Sequence, residues 1–284
     1  MPYVSTKSSN FAAQNIRYLI HIYNMKIKEV AETLERFAPL PLQESYDNAG
    51  LQIGLTEGED VSGVLLCLDV TEDIISEAQR KGCNLIVSHH PLIFRPLRHL
   101  TEETQVERCV IMAIKAGIGI YSAHTNLDNA PGGVNFMIAE KLGLHDVEFL
   151  QALPSGNGGS GIIGTLAEPL TIADFIKTVK ERFGVECLMH NETTKQHISR
   201  VALCGGAGDF LLDEAIAQGA DAFLTGEMSY HRYFGHEDDL LIGVMGHYQS
   251  EQFTIQLLHR ILKQALPELR VVETEKSTNP ISYQ

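Results

Sequence analysis

The chain reads as an α/β protein of two similar halves, each with a mainly parallel sheet, and three observations support this. Short apolar runs alternate with stretches of helical period, and glycines often stand between them. The same order of features occurs twice along the chain. In both copies the polar clusters fall just past the ends of apolar runs, where open α/β sheets hold their ligands. The expected organisation is a tail over 1–24, a first half over 25–150 and a second half over 151–284. The second half would complete a metal site in the cleft between the two.

Taken in order, residues 1–24 contain no acid, and the run 18–23 is too short and poorly flanked for a signal peptide. Met25 reads as a natural start, which leaves a tail outside the fold; an organelle-targeting peptide is the alternative. Residues 27–37 predict an amphipathic helix with Ile27, Val30, Ala31, Leu34 and Phe37 on one face, ended by Pro39 and Pro41. A turn and short strand follow over 46–54, then an acidic loop over 57–60. Strand 61–70 leads to helix 72–81 with Gly82 as its cap. Strand 83–88 runs into His89-His90-Pro91. Helix 102–115 precedes strand 119–123, which runs into His124-Thr125-Asn126-Leu127-Asp128.

The middle of the chain is less regular. Residues 154–161 predict a flexible connection, not a P-loop, because no Gly-Lys-Ser/Thr follows. Helix 171–183 has Thr171 as N-cap and Asp174 three residues on. Strand 201–204, helix 210–218 and strand 222–225 come next, followed by Glu227 to His231. The apolar run 240–245 is a strand, and 251–266 has helical spacing.

The repeat aligns without gaps over one long segment. Cys67 stands 15 residues before Gly82, and Cys204 stands 15 before Gly219. Ser88-His89-His90 falls on Thr225-Gly226-Glu227. After a shorter connection, His124 to Asp128 falls on His247 to Glu251, so each copy carries a histidine and an acid four residues on.

Composition narrows the function. With 284 residues, 44% of them apolar and 20% charged, the chain can build a globular core. A formal net charge of −14 argues against sequence-independent nucleic-acid binding, which needs a basic face. No apolar segment reaches membrane-spanning length. Five widely spaced cysteines without a C-x-x-C pair predict reduced thiols and a cytoplasmic setting.

The chemistry lies in His89, His90, His124, Asp128, Glu227, His231, His247 and Glu251, all expected just past strand ends. Imidazoles and carboxylates in this proportion suit a pair of first-row divalent ions, zinc, iron or manganese. Such a pair activates a water and holds a substrate's oxygens. Singly, each element has a plainer reading: a turn before proline, a loop hydrogen bond, an ordinary pair at a helix start. Their shared placement favours the metal site. The glycine-rich turn 205–208 could offer amides to a phosphate, or could simply be a tight turn. No activated serine or thiol is evident.

Tyr46 to Gly54, Ser88-His89-His90-Pro91, His124 to Asp128, Gly205-Gly206-Ala207-Gly208 and Gly246 to Glu251 together resemble the Nif-three-like dinuclear-metal proteins, often named GTP cyclohydrolase 1 type 2 homologues. The resemblance covers roughly 25–284 and implies a compact member, since 150–200 is too short for the extra domain of longer ones. It implies His89, His90, Asp128, His247 and Glu251 as ligands to two metal ions, with His124 and His231 beside them; His124 or His231, as an imidazole that titrates near neutrality, would be the general acid/base. It also implies a toroidal homohexamer with the metals facing an inner cavity. The function expected is that of a metal-dependent hydrolase, cyclohydrolase-like, acting on a small molecule. A metal carrier, sensor or protein-interaction scaffold without turnover is the alternative.

Overall fold

The computed structural model describes residues 25–54 and 59–284. The expected tail over 1–24 and the start of the acidic loop lie outside the described residues.

Helix α1 (Ile27–Phe37) forms as its apolar spacing predicts and buries Ile27, Val30 and Leu34. Glu29 closes its first turn by accepting a hydrogen bond from the Lys26 amide at 2.6 Å, and Pro39 bars its extension. The strands β1 (Gly50–Ile53), β2 (Val64–Cys67), β3 (Leu85–Ser88) and β4 (Gly119–Ser122) follow. Helices α2 (Glu72–Arg80) and α3 (Gln105–Ala116) lie between them, each capped by a threonine hydroxyl, Thr71 and Thr104. Helix α3 starts later than the expected residue 102 for a physical reason. The Glu107 carboxylate accepts from the amides of Thr101 and Glu103 at 3.0 and 3.1 Å and folds that stretch into a capping loop.

The short helix α4 (Thr125–Asp128) and helix α5 (Val134–Leu142) come next. The middle is more regular than expected. Strands β5 (Leu144–Ala152) and β6 (Gly159–Thr171) form an antiparallel hairpin, and the expected flexible connection is mostly its turn. There the Leu153 amide donates to the Gly158 carbonyl at 2.8 Å, and Gly156 takes a φ of +70°.

Helix α6 (Ile172–Phe183) is capped by Thr171 as predicted. Strands β7 (Met189–His190) and β8 (His197–Cys204), helix α7 (Leu212–Ala217) and strands β9 (Ala222–Thr225) and β10 (Leu241–Val244) follow. The expected helix over 251–266 divides into α8 (His247–Glu251) and α9 (Thr254–Ala265). Strand β11 (Val271–Glu273) completes the set.

Two sheets result. One has the order β1-β4-β3-β2-β11, parallel except for β1; the other has the order β5-β6-β8-β9-β10-β7, with a parallel centre of β8, β9 and β10. Strand residues alternate between faces. Val64, Leu66, Val201 and Leu203 face one large apolar core shared by α1, α5, α6 and α9. Leu65 and Cys67 face α2 and α3 on the far side, and Ala202 and Cys204 face α7. Helices thus fill the space between the sheets and cover both outer faces.

The half boundary expected at 150/151 falls inside β5, which belongs to the six-stranded sheet, while β11 returns to pair with β2. The two sheets are therefore interleaved along the chain. The alignment expected between the two segments also shifts by one residue. Ala123 donates to Ser88 as Met245 donates to Thr225, so His124 matches Gly246 rather than His247. Gly246, at φ +97°, stands before α8 where His124 stands before α4.

Candidate metal centre

Each polar side chain of the site stands just past a parallel strand. His89 and His90 follow β3, His124 and Asp128 follow β4, and His247 and Glu251 form the first and last residues of α8 after β10. The helix begins at His247, so the imidazole and the carboxylate share a face.

Four histidines use Nδ1 in the same way. His89 Nδ1 donates to the Ala123 carbonyl at 2.8 Å. His90 Nδ1 donates to Asp69 Oδ1 at 2.8 Å, His124 Nδ1 to Asp47 Oδ1 at 2.7 Å, and His247 Nδ1 to Glu227 Oε1 at 2.7 Å. A proton held on Nδ1 leaves Nε2 as the lone-pair donor, the arrangement that orients metal-ligating imidazoles.

The Nε2 atoms converge. His90 Nε2 lies 3.0 Å from Glu251 Oε2 and 3.3 Å from His247 Nε2. His247 Nε2 lies 3.1 Å from the same Glu251 oxygen. His89 is fully buried, and its Nε2 has no hydrogen-bond partner. That atom stands 3.7 Å from Asp128 Oδ1 and 3.7 Å from Glu251 Oε1. Ligand atoms of His89, His90 and His124, and of His90, His247 and Glu251, form two groups within 4.8 Å.

Electrostatics match this crowding. Burial disfavours the charged form of His90, but its bonds to Asp69 and Glu251 hold its pKa up at about 10. Burial opposes protonation of His247 as well, and Glu251 and Glu227 lift it to about 9. Burial, with Glu251 close by, pushes Asp128 up to about 7. Burial would raise Glu251 too, yet the surrounding histidines hold it well below the carboxylate range. Any metal bound here displaces protons from the imidazoles.

The glycine-rich turn makes room for this cluster. Gly206 has φ +59°, and a Cβ there would come within 2.3 Å of Glu251 Oε1. Three of the turn's four amides are already engaged: Gly205 donates to Asn135 Oδ1 at 2.9 Å, Gly206 to Ser250 Oγ at 2.9 Å and Gly208 to Thr225 Oγ1 at 3.1 Å. Of the two sequence readings, the tight turn is the one present.

The structure brings together six of the seven expected residues: His89, His90, His124, Asp128, His247 and Glu251. It does not bring His231. That residue lies exposed in a short turn, Tyr230–Tyr233, beside Phe234 at 6.3 Å between rings, and it does not line the cavity. Glu227 turns back to His247, and Ser229 is tied to Asp209 at 3.0 Å, which carries the chain away.

Sequence reasoning missed Asp47 and Asp69. Asp69 follows β2 as the histidines follow β3, which was a usable signal. It also accepts from Thr278 Oγ1 at 2.7 Å. Asp47 accepts from the Asn48 and Thr125 amides at 2.6 and 3.1 Å and from the Thr125 hydroxyl. Burial would raise its pKa, but these bonds and His124 bring it to about 2.

The cluster opens into a cavity of about 560 Å³, with His90, His124, Asp128, His247 and Glu251 at its base and Tyr46, Phe94, Phe210 and Ile281 among the apolar residues of its wall. Imidazole and carboxylate ligands at the base of such a cavity can hold first-row divalent ions beside a small molecule.

Known proteins resemble this chain in sequence and fold. Residues 25–280 match the model of the Duf34/NIF3 (NGG1p interacting factor 3) family. A Lactococcus lactis protein named GTP cyclohydrolase 1 type 2 homolog is 36% identical over 265 residues, covering 90% of this chain and 98% of that one. A Clostridium perfringens protein of the same name is 31% identical over 262 residues, covering 91% and 100%. The solved Staphylococcus aureus protein SA1388 superposes with a TM-score of 0.84 at 26% identity, covering 92% of this chain and 100% of that one. By its sequence and its fold, the chain belongs to the Duf34/NIF3 family.

Proposed function

We propose that the protein is a metal-dependent hydrolase with two divalent ions, zinc, iron or manganese, held by His89, His90, Asp128, His247 and Glu251. The unpartnered Nε2 of His89, buried and aimed between two carboxylates, is the observation that carries the reading. A buried donor or acceptor without a partner costs about 1–3 kcal/mol, and a metal ion would remove that cost. The ligand-atom separations of 3.0 to 3.7 Å also suit the group. Two ligands at about 2.1 Å from one ion, at the tetrahedral angle, stand roughly 3.4 Å apart.

Bound there, the ions would supply Lewis acidity and bring a water's pKa near neutrality. The chain's own groups do the rest. Asp69 and Glu227 hold His90 and His247 in the ligating tautomer, and the Ala123 carbonyl does the same for His89. His124, fixed through Nδ1 by Asp47, presents Nε2 towards the base of the cavity to accept and return a proton. Within one chain His231 takes no part. The homohexamer belongs to the same reading, and light scattering at micromolar concentration tests it.

The deciding experiment is elemental analysis of gently purified protein beside the His90→Ala variant. About two ions per chain, lost in the variant, is the expected result. A ratio near zero that zinc, iron and manganese cannot restore would remove the proposal. Full metal without turnover on nucleotides, phosphoesters and ring amides would favour the carrier reading.

A further inference from the structure

We infer that the site takes an uncharged, flat ring compound and not a polyanion such as a nucleoside triphosphate; the inference rests on the metal site proposed above.

Three observations converge on it. The first is the wall. Tyr46 and Phe94 meet edge to face at 6.5 Å, and Phe94 meets His124 in the same manner at 6.1 Å. These rings form a continuous aromatic surface from the mouth of the cavity to the proposed proton carrier. Tyr46 is 64% exposed, Phe94 41%, Phe210 53% and Ile281 53%. Large apolar groups left open around one mouth are what a ring would cover. Flat rings gain most against such a wall, because edge-to-face and offset contacts add to burial.

The second observation is charge. No lysine or arginine lines the cavity among the described residues. Two divalent ions would bring four positive charges, and Asp128, Glu251, Asp69, Asp47 and Glu227 would bring five negative ones around them. With neutral imidazoles the loaded centre has no positive surplus to draw a polyphosphate. Glu44 also lines the cavity and adds to the repulsion.

The third observation is the backbone. Phosphates unsupported by cationic side chains are usually cradled by free amides at a glycine-rich turn. Here the amides of Gly205, Gly206 and Gly208 are committed to Asn135, Ser250 and Thr225. Those three amides are therefore not free to cradle a triphosphate. A ring bound edge-on to the ions would lie against Phe94, with a ring carbon or ring amide presented for attack by water near His124. Water adds to that carbon, and the ring carbon–nitrogen bond breaks with its proton supplied through His124.

The test is calorimetric titration of the manganese-loaded protein, its metal content measured first, with guanosine, 4-quinazolinone and GTP. Guanosine and GTP share a ring and differ in the triphosphate. Both neutral probes are expected to bind, with GTP no tighter than guanosine. Phe94→Ala should weaken both neutral probes about tenfold with metal content unchanged. Phe94 is partly exposed, so its truncation spares the core. As a reciprocal variant, Phe210→Lys should raise the affinity for GTP about tenfold relative to that for guanosine. GTP binding about tenfold more tightly than guanosine to the unaltered protein would overturn the inference. So would failure of both neutral probes to bind at about 1 mM to protein with full metal. Protein that holds no manganese would instead remove the metal site on which the inference stands.

Discussion

His89 and Asp47 show how differently two side chains of one site can be written in a sequence. His89 stands beside His90 at the end of an apolar run, and the pair is visible without knowledge of the fold. Asp47 acts on His124 from 77 positions away, and Asp69 acts on His90 across 21. No local spacing records such partnerships, so the histidines of the cluster were legible while their pairing with Asp47 and Asp69 was not. The Asp47 side chain has no exposed surface. Its folded pKa of about 2 lies below the ordinary value of 3.8, so its contribution to stability is present above about pH 4 and lost as the pH falls towards 2. The size of that contribution is about 2 kcal/mol. Asp47→Asn should therefore flatten the pH dependence of denaturant unfolding in that acid window. An unchanged slope between about pH 4 and pH 2 would contradict the role.

Among the elements, those with one-sided apolar patterns were the ones read correctly. Helix α1 and the threonine-capped helix α6 have the expected bounds because periodicity and caps are local signals. Helix α5 was not foreseen. Val134, Met137, Ile138, Ala139 and Leu142 are all buried, and a helix that is apolar almost all round loses the contrast that marks a face. The β5–β6 hairpin was obscured by the glycines and serines of its turn, which also suit an open linker. The glycine-rich turn after β8 belongs to this scale as well. Gly206→Ala would combine a left-handed φ with a contact of 2.3 Å to Glu251. The variant should lose about 1–2 kcal/mol of stability and displace the carboxylate. Thermal unfolding and a zinc titration would show both effects; normal zinc binding would mean that Glu251 is not a ligand.

At the scale of the molecule, the α/β class with parallel sheet centres was legible, and the division into halves was not. The proposed ligand set draws His89, His90 and Asp128 from one sheet and His247 and Glu251 from the other. Metal held there would tie the sheets to each other. Chelation should then lower the unfolding temperature by several degrees, since a ligand at about 1,000 times its Kd stabilises the native state by about 4 kcal/mol. Calorimetry before and after chelation, with metal content measured, would check this. Loss of metal without a thermal shift would show that the sheets hold together unaided. The interleaving itself depends on β11, a three-residue strand too short to announce its partner.

That return of β11 has a consequence for the order in which the chain is made. The edge of β2 stays open on the ribosome until residues 271–273 have been translated. All four residues of β2 are apolar and buried in the finished protein. Until then the first sheet presents an unpaired apolar edge, the kind of surface on which nascent chains aggregate. The five-stranded sheet is thus begun early but completed late, and a message truncated before residue 271 would leave it incomplete although every strand of the six-stranded sheet had been made.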